Sequence, residues 1–288
     1  MTKRPDIYQT VTDKLITLME AGQTAEKWRM PWAGFNTLPN NACTHQTYRG
    51  VNIPMLWAYQ MEAGHRSGVW ASYKQWQQLG AQVRKGEKGA PVVFWKTIDV
   101  EPDDDNEDKE TRMFARHSTV FNADQVDGFE LIPEAQRNEI ERNSTIDGFV
   151  RATGAEVRHG LGCAFYQRAD DFIGMPDADT FQATDSSSPH ENYYATLLHE
   201  LTHWSGAPQR LARQKGQRFG DPVYAFEELI AELGSAMLCA TLGLTSTPRA
   251  DHAQYIDGWL KALKDDKKAI FTAASQAQKA VDYLHGLQ

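Results

Sequence analysis

Apolar residues recur at helical spacing near the start of the chain. Ile7, Val11, Leu15, Ile16, Leu18 and Met19 form one broad stripe, and Gly22 follows as a stop signal. The pattern predicts an amphipathic helix over 7–22. It fades between Lys27 and Asn52, where Gly, Pro and Asn recur and a shaped loop is expected. Pro54 opens a helix to about Gly64. In "SYKQWQQLG", Ser72 and Gln75 stand at capping-box spacing and Gly80 ends the helix. Two short apolar strands flank the turn "RKGEKG", the second with Val92, Val93, Phe94 and Trp95. "TRMFARHSTVF" predicts another strand, and "NADQ" (Asn122 to Gln125) caps a helical turn.

Beyond that point the period turns mostly helical. Helices are predicted over 139–153, about 190–204 behind Ser188 and Pro189, a long one ending near Gly243, then about 249–264 and 267–285. "GCAFYQRADDFIGMPD" mixes strand and turn. The fold class read from this is α+β. A small α+β module covers 1–130, a link covers 131–138, and a mainly helical module covers 139–288.

Composition sharpens the division. The net charge of the 288 residues is -8, but residues 1–98 carry 12 Lys/Arg against 6 Asp/Glu and six of the eight tryptophans. Residues 99–110, "DVEPDDDNEDKE", hold eight acids and one Lys, and read as a solvated loop. The remainder is acidic, with 17 basic residues against 24 acidic ones. No apolar run reaches the roughly 18 residues a membrane span requires, and the charged start does not resemble a signal peptide. No membrane partner and a cytoplasmic location are expected. Three scattered cysteines make neither a disulfide framework nor a ligand pair.

A positive groove with flat side chains is what holds single strands. Lys27, Trp28, Arg29, Trp32, Tyr48, Arg49, Arg84, Lys85, Lys88, Trp95 and Lys96 are the candidates. The competing reading makes Trp57, Trp76 and Phe94 core and "RKGEKG" a soluble turn.

The second module carries "YYATLLHELTHWSG". Four residues apart on a helix, His199 and His203 share a face and can reach one ion, while Glu200 can hold a water beside it. Catalytic zinc takes three protein ligands. Gln209 occupies the position six residues after His203, where a third His would make a metzincin, so that subclass fails. The later helix offers Glu227, Glu228 and Glu232. Glu228 is the preferred ligand, with Glu232 orienting a ligand imidazole, and Glu227 and Glu232 remain alternative ligands. Tyr255, His252 and Tyr224 are candidate oxyanion donors.

Two stretches carry a family resemblance. "SYKQWQQLGAQVRKGEKGAPVVFWK" with "FNADQVDG" resembles the single-stranded-DNA-binding domain of ArdC-type antirestriction proteins. "YYATLLHELTHWSG" with "RFGDPVYAFEELIAELGSAML" resembles that family's zincin-like metallopeptidase domain. The resemblance implies a gluzincin site with one Zn2+, for which Mn2+ or Co2+ can substitute. Its ligands would be His199, His203 and Glu228, with Glu200 catalytic and Glu232 behind them. It also implies protection of incoming plasmid DNA from restriction during conjugation, with an unknown protein substrate such as a host restriction enzyme or regulator. Two alternatives stay open: a non-catalytic strand-binding protection factor, and a regulatory metallopeptidase acting on a repressor-like protein.

Overall fold

The computed structural model describes residues 6–24, 30–100, 110–131, 139–184, 187–213, 222–245 and 255–288. Only the backbone is described for 23–24, 96–100, 110–114, 139–141 and 222. The first apolar stripe forms α1 (Ile7–Thr24), followed by β1 (Asn40–Asn41), α2 (Asn52–Ala63), β2 (Val69–Ser72) and α3 (Tyr73–Gln78). Local signals act where expected. Gly64 ends α2 in the left-handed conformation, and Ser72 and Gln75 cap α3 reciprocally.

Then come β3 (Gln82–Val83), β4 (Ala90–Val100), β5 (Glu110–Asn122), a 3-10 turn at Ala123–Gln125 and β6 (Val126–Asp127). The main sheet has the order β1-β2-β5-β4. The hairpin expected across "RKGEKG" does not form: β3 pairs with β6, while β4 pairs with β5. Arg84 explains the difference. Its guanidinium donates to the Asp124 carbonyl at 2.5 Å and its backbone N–H to the Gln125 carbonyl at 3.0 Å, so the turn bridges two sheets. The hairpin of this module lies further on, between β4 and β5. Their ladder runs from Ala90↔Val120 to Val100↔Glu110, so Asp99, Val100 and Glu110 are strand residues rather than loop. Residues 101–109 of the acidic run lie outside the described residues.

On the outer edge of β4, the Asn52 side chain accepts from the Val93 N–H at 2.7 Å and donates to the Val93 carbonyl at 2.9 Å. Those two groups would otherwise be orphaned at a buried strand edge.

The second module has α4 (Glu139–Thr153), β7 (Glu156–Arg158), β8 (Phe165–Gln167), β9 (Phe172–Gly174), α5 (Pro189–Ser205), α6 (Pro222–Leu242), α7 (Ile256–Asp265) and α8 (Ala269–His285). The small sheet is ordered β7-β9-β8, and β7 was not legible as a strand. Ser188 and Glu191 form the capping box of α5, with Pro189 at its start.

One hydrophobic core joins Leu198 and Leu201 of α5, Leu229, Leu233 and Met237 of α6, and Ala273, Ala277 and Val281 of α8. Each large side chain buried there contributes about 1.5–3 kcal/mol. The same core includes Val11, Leu15 and Met19 of α1, which packs on α2 and α7.

Candidate metal centre

The site is built where α5 crosses α6. Gly234 makes the close approach: a Cβ there would stand 2.6 Å from the Thr202 methyl. The Ser235 hydroxyl donates to the Ala195 carbonyl across the same contact at 2.9 Å. This packing turns the "EE" pair of α6 toward the histidines of α5.

His199 Nε2 lies 3.4 Å from Glu228 Oε2, and His203 Nε2 lies 3.3 Å from Glu228 Oε1. One ligand atom from each residue falls within 4.8 Å of the others, and all three residues are buried. Good charge-assisted hydrogen bonds are shorter, about 2.7–2.9 Å. Two ligands on a tetrahedral ion, each about 2.05 Å from it, stand roughly 3.3 Å apart. The spacing therefore fits a shared ion, and two imidazoles with one carboxylate form a donor set suited to zinc. Glu228 is held well below the usual carboxylate range. Burial opposes its ionisation, and the charge of His203 with hydrogen bonds from both histidines outweighs that.

The outer nitrogens also face acids. His203 Nδ1–H donates to Glu227 Oε1 at 3.3 Å. His199 Nδ1 faces Glu232 Oε2 at 3.8 Å, beyond hydrogen-bond length. Glu227, an alternative ligand in the sequence reading, thus lies behind His203 and outside the converging set. Buried Arg213 fixes it there, donating to Glu227 Oε2 at 3.1 Å and Oε1 at 2.9 Å, and to the Thr202 carbonyl at 2.6 Å. Gly206 leaves room for the guanidinium, since a Cβ there would come within 2.7 Å of it. Burial raises the Glu227 carboxyl, and His203 and Arg213 more than reverse that. The roles of Glu227 and Arg213 had no sequence signal beyond charge, because only folding brings them together.

Glu200 follows His199 directly and is 5 % exposed. Tyr224 lies beside Glu228, and the Tyr255 ring stands 5.9 Å from that of Tyr224, centroid to centroid. Burial, the Glu228 charge and a hydrogen bond with Tyr255 raise the Tyr224 phenol, so it stays a proton donor at neutral pH. His252 lies outside the described residues.

After α5 the chain is clamped to the β8–β9 turn. Arg210 donates to Asp171 Oδ2 at 3.0 Å and to the Trp204 carbonyl at 2.6 Å, and Tyr166 donates to Asp171 Oδ1 at 2.7 Å. Arg210 and these donors lower Asp171 from 3.8 to about 2, and burial with the Asp171 bond raises Tyr166 to about 12. A depressed acid stabilises the fold above its unfolded value and loses that contribution as pH falls through its folded value. The thermal midpoint is therefore expected to drop between about pH 4 and pH 2 by more in the native chain than in Asp171→Asn. Parallel melting curves across that window would remove Asp171 from the account.

The candidate strand-binding residues scatter. Trp32, expected on the strand-binding surface, is instead fully buried in the core and presents no face to a base. Tyr48 is 8 % exposed, belongs to the cluster of Trp70 and Val92, and lines a groove that Arg49 and Trp95 also line. Arg84 is committed to the bridge described above. Lys85 and Lys88 are exposed at that bridge, while Arg49 and Trp95 border a groove. Lys27, Trp28 and Arg29 lie outside the described residues, as does the side chain of Lys96. Trp57 and Trp76 are core, and Phe94, which the competing reading placed in the core, is 49 % exposed.

Comparison with known proteins follows the same two-part order. Residues 5–121 match the N-terminal domain of the anti-restriction factor ArdC, and residues 144–276 match a zincin-like metallopeptidase family. The crystal structure of metal-free ArdC from plasmid R388 superposes with a TM-score of 0.79 at 42% identity over 98% of both chains. This chain belongs to the ArdC antirestriction family. The Mn(II)-bound ArdC structure gives a TM-score of 0.77 at 41% identity over 98% of both chains. Protein y4eC of Sinorhizobium fredii is 45% identical, covering 98% of this chain and 92% of its own. DNA primase TraC of Escherichia coli is 38% identical over 98% of this chain, which spans 27% of that longer protein. Family membership places the α5–α6 site in a zincin-like domain and associates it with a divalent metal.

Proposed function

We propose that this ArdC-family chain acts in the cytoplasm, binding single-stranded DNA with its first module and hydrolysing a protein substrate at the α5–α6 site. The reading rests on one observation above all: His199, His203 and Glu228 converge within 4.8 Å on two packed helices, with Glu200 beside them. His199, His203 and Glu228 would hold one zinc ion, with Mn2+ or Co2+ as substitutes. Such an ion polarises a carbonyl and lowers the pKa of a bound water.

The chain's own groups supply the rest. Glu200 accepts the proton of the attacking water and returns it to the leaving amine. Glu227 and Arg213 keep the His203 ring turned toward the site, and Glu232 stands behind His199. Tyr224 or Tyr255 donates a hydrogen bond to the oxyanion that develops at the scissile carbonyl. β8 is an edge strand that contacts α5, so an extended peptide can pair with it. A peptidase on a strand-binding platform fits a role in sparing incoming plasmid DNA from restriction during conjugation.

Stripping the chain with a chelator and titrating zinc tests the central claim. Uptake of one ion is expected, with stabilisation of about 2.7 kcal/mol at a hundredfold excess over Kd. Hydrolysis of a peptide library should appear with the ion and vanish with chelator. No uptake would sink the metal reading. Uptake without hydrolysis of any peptide or restriction subunit would leave a structural ion and a chain that protects by coating the strand.

A further inference from the structure

The groove beside β4 is built by both modules. Its volume is about 1130 Å³, larger than the roughly 300–1,000 Å³ of a small-ligand pocket. One wall is the first module, through Arg49 of the loop before α2 and Lys74 of α3; the other is α8, through Gln278, Lys279 and Asp282. The floor is the sheet face of Val120, Ser118 and Phe94. Alternation puts Arg116, which is exposed and stands opposite Phe94 in the ladder, on this same face.

Its chemistry is one-sided. Arg49, Lys74 and Lys279 line it, and among the described residues Asp282 is the one acid that does. Asp282 is itself paired with Arg49. Phe94 and Trp95, 49 % and 48 % exposed, are the most exposed large apolar side chains among the described residues, so their faces are open to a flat ligand. Trp95 leans on Tyr8, which packs on Phe271 at 4.7 Å, so an aromatic row joins β4 to α8 through α1. Cations alone suit any polyanion. Cations set beside exposed rings in a walled groove suit a polyanion with unpaired flat bases.

We propose that this groove is the seat of single-stranded DNA, and that α8 of the second module forms one wall of it. The proposal rests on the strand-binding reading given above. Phe94 stacks a base, while Lys74, Arg116 and Lys279 take phosphates. Gln278 accepts from the Gly50 N–H at 3.1 Å and, with the Arg49–Asp282 pair, ties the loop before α2 to α8 across one end of the groove. α8 also packs on α5 and α6, which carry the metal ligands. A bound strand therefore touches a helix that supports the metal centre, and any coupling between the two ligands must be reciprocal.

The test is anisotropy of a labelled oligothymidylate, of about 15 nucleotides to exceed one stacking site, with the full chain and four variants. Phe94→Ala is expected to weaken binding roughly 5- to 150-fold, the range spanned by base–aromatic stacking. Lys279→Ala should weaken it and lower the slope of log K against log salt by about 0.7, one phosphate contact. Asp282→Asn should tighten binding, because it removes the acid and frees Arg49, an outcome that damage to the fold would not produce. Arg151→Ala, at an exposed position of α4 outside the groove lining, should change little.

If the native chain does not bind the oligomer, the strand-binding reading itself falls and this proposal with it. Should the native chain bind while Phe94→Ala and Lys279→Ala bind equally well, strand binding stands and the groove assignment is overturned. A loss with Phe94→Ala but none with Lys279→Ala overturns the part given to α8. Competition by polyglutamate as effective as by unlabelled oligomer also overturns it, since charge would then suffice without stacking.

Discussion

Replacing Glu200 by Gln is expected to lower peptide turnover by roughly 10²–10⁴-fold, the usual contribution of a positioned general base. Gln keeps the size and hydrogen-bonding reach of Glu but cannot accept a proton. The substitution leaves His199, His203 and Glu228 in place, so zinc uptake and strand binding should stay within a few-fold of native. The rate and the two affinities, measured on the same preparation, separate catalysis from assembly of the site. Protection of plasmid DNA in a transfer assay then distinguishes the functional readings. Protection that falls with turnover supports a peptidase role. Protection that persists in the Glu200→Gln chain shows that coating the strand is enough.

A second large effect is expected from Arg213→Leu. The guanidinium and Glu227 are buried together, with side chains 4% and 2% exposed. Taking away one partner leaves a carboxylate in a dry site, which costs about 3–5 kcal/mol. It also loosens the acid that orients His203, and loss of such a partner costs about 10–100-fold in metal affinity. The double change Arg213→Leu with Glu227→Leu tells the two contributions apart. Removing both charges restores much of the stability, but His203 still lacks its partner, so the metal affinity stays low. If affinity recovered along with stability, Arg213 and Glu227 would hold the fold together without positioning the ligand. Arg213→Lys should be intermediate, since an ammonium cannot reproduce the fork that grips Glu227, Ser205 and the Thr202 carbonyl.

Signals that act within one turn of chain were legible in the residues. The capping box at Ser72, the N-cap at Ser188 and the stop at Gly64 depend on neighbours a few positions away. The shared face of His199 and His203 follows from the same helical geometry, so half the metal centre could be read before any fold was known. Pairing of strands was not legible. Arg84 bonds to residues some forty positions further on, which turned an expected hairpin into a bridge between sheets.

Aromatic exposure was equally hidden. Trp32 and Trp95 both sit in basic, aromatic sequence, yet one lies in the core and the other on the groove. Burial depends on which faces of distant elements meet, and composition carries no record of that.

By itself the sequence determined most of the helices, the caps at Ser72 and Ser188 and the histidine spacing, because short-range sterics and hydrogen bonds suffice for each; the helix expected over about 249–264 is seen as Ile256–Asp265, and 249–254 lie outside the described residues. Tertiary structure alone decided which of three glutamates meets the histidines, because the close contact of Gly234 with Thr202 sets the rotation of α6 against α5. It also decided that α8 should wall the groove beside β4. That placement follows from the apolar face α8 buries on α5 and α6, a long-range packing choice that no local pattern encodes.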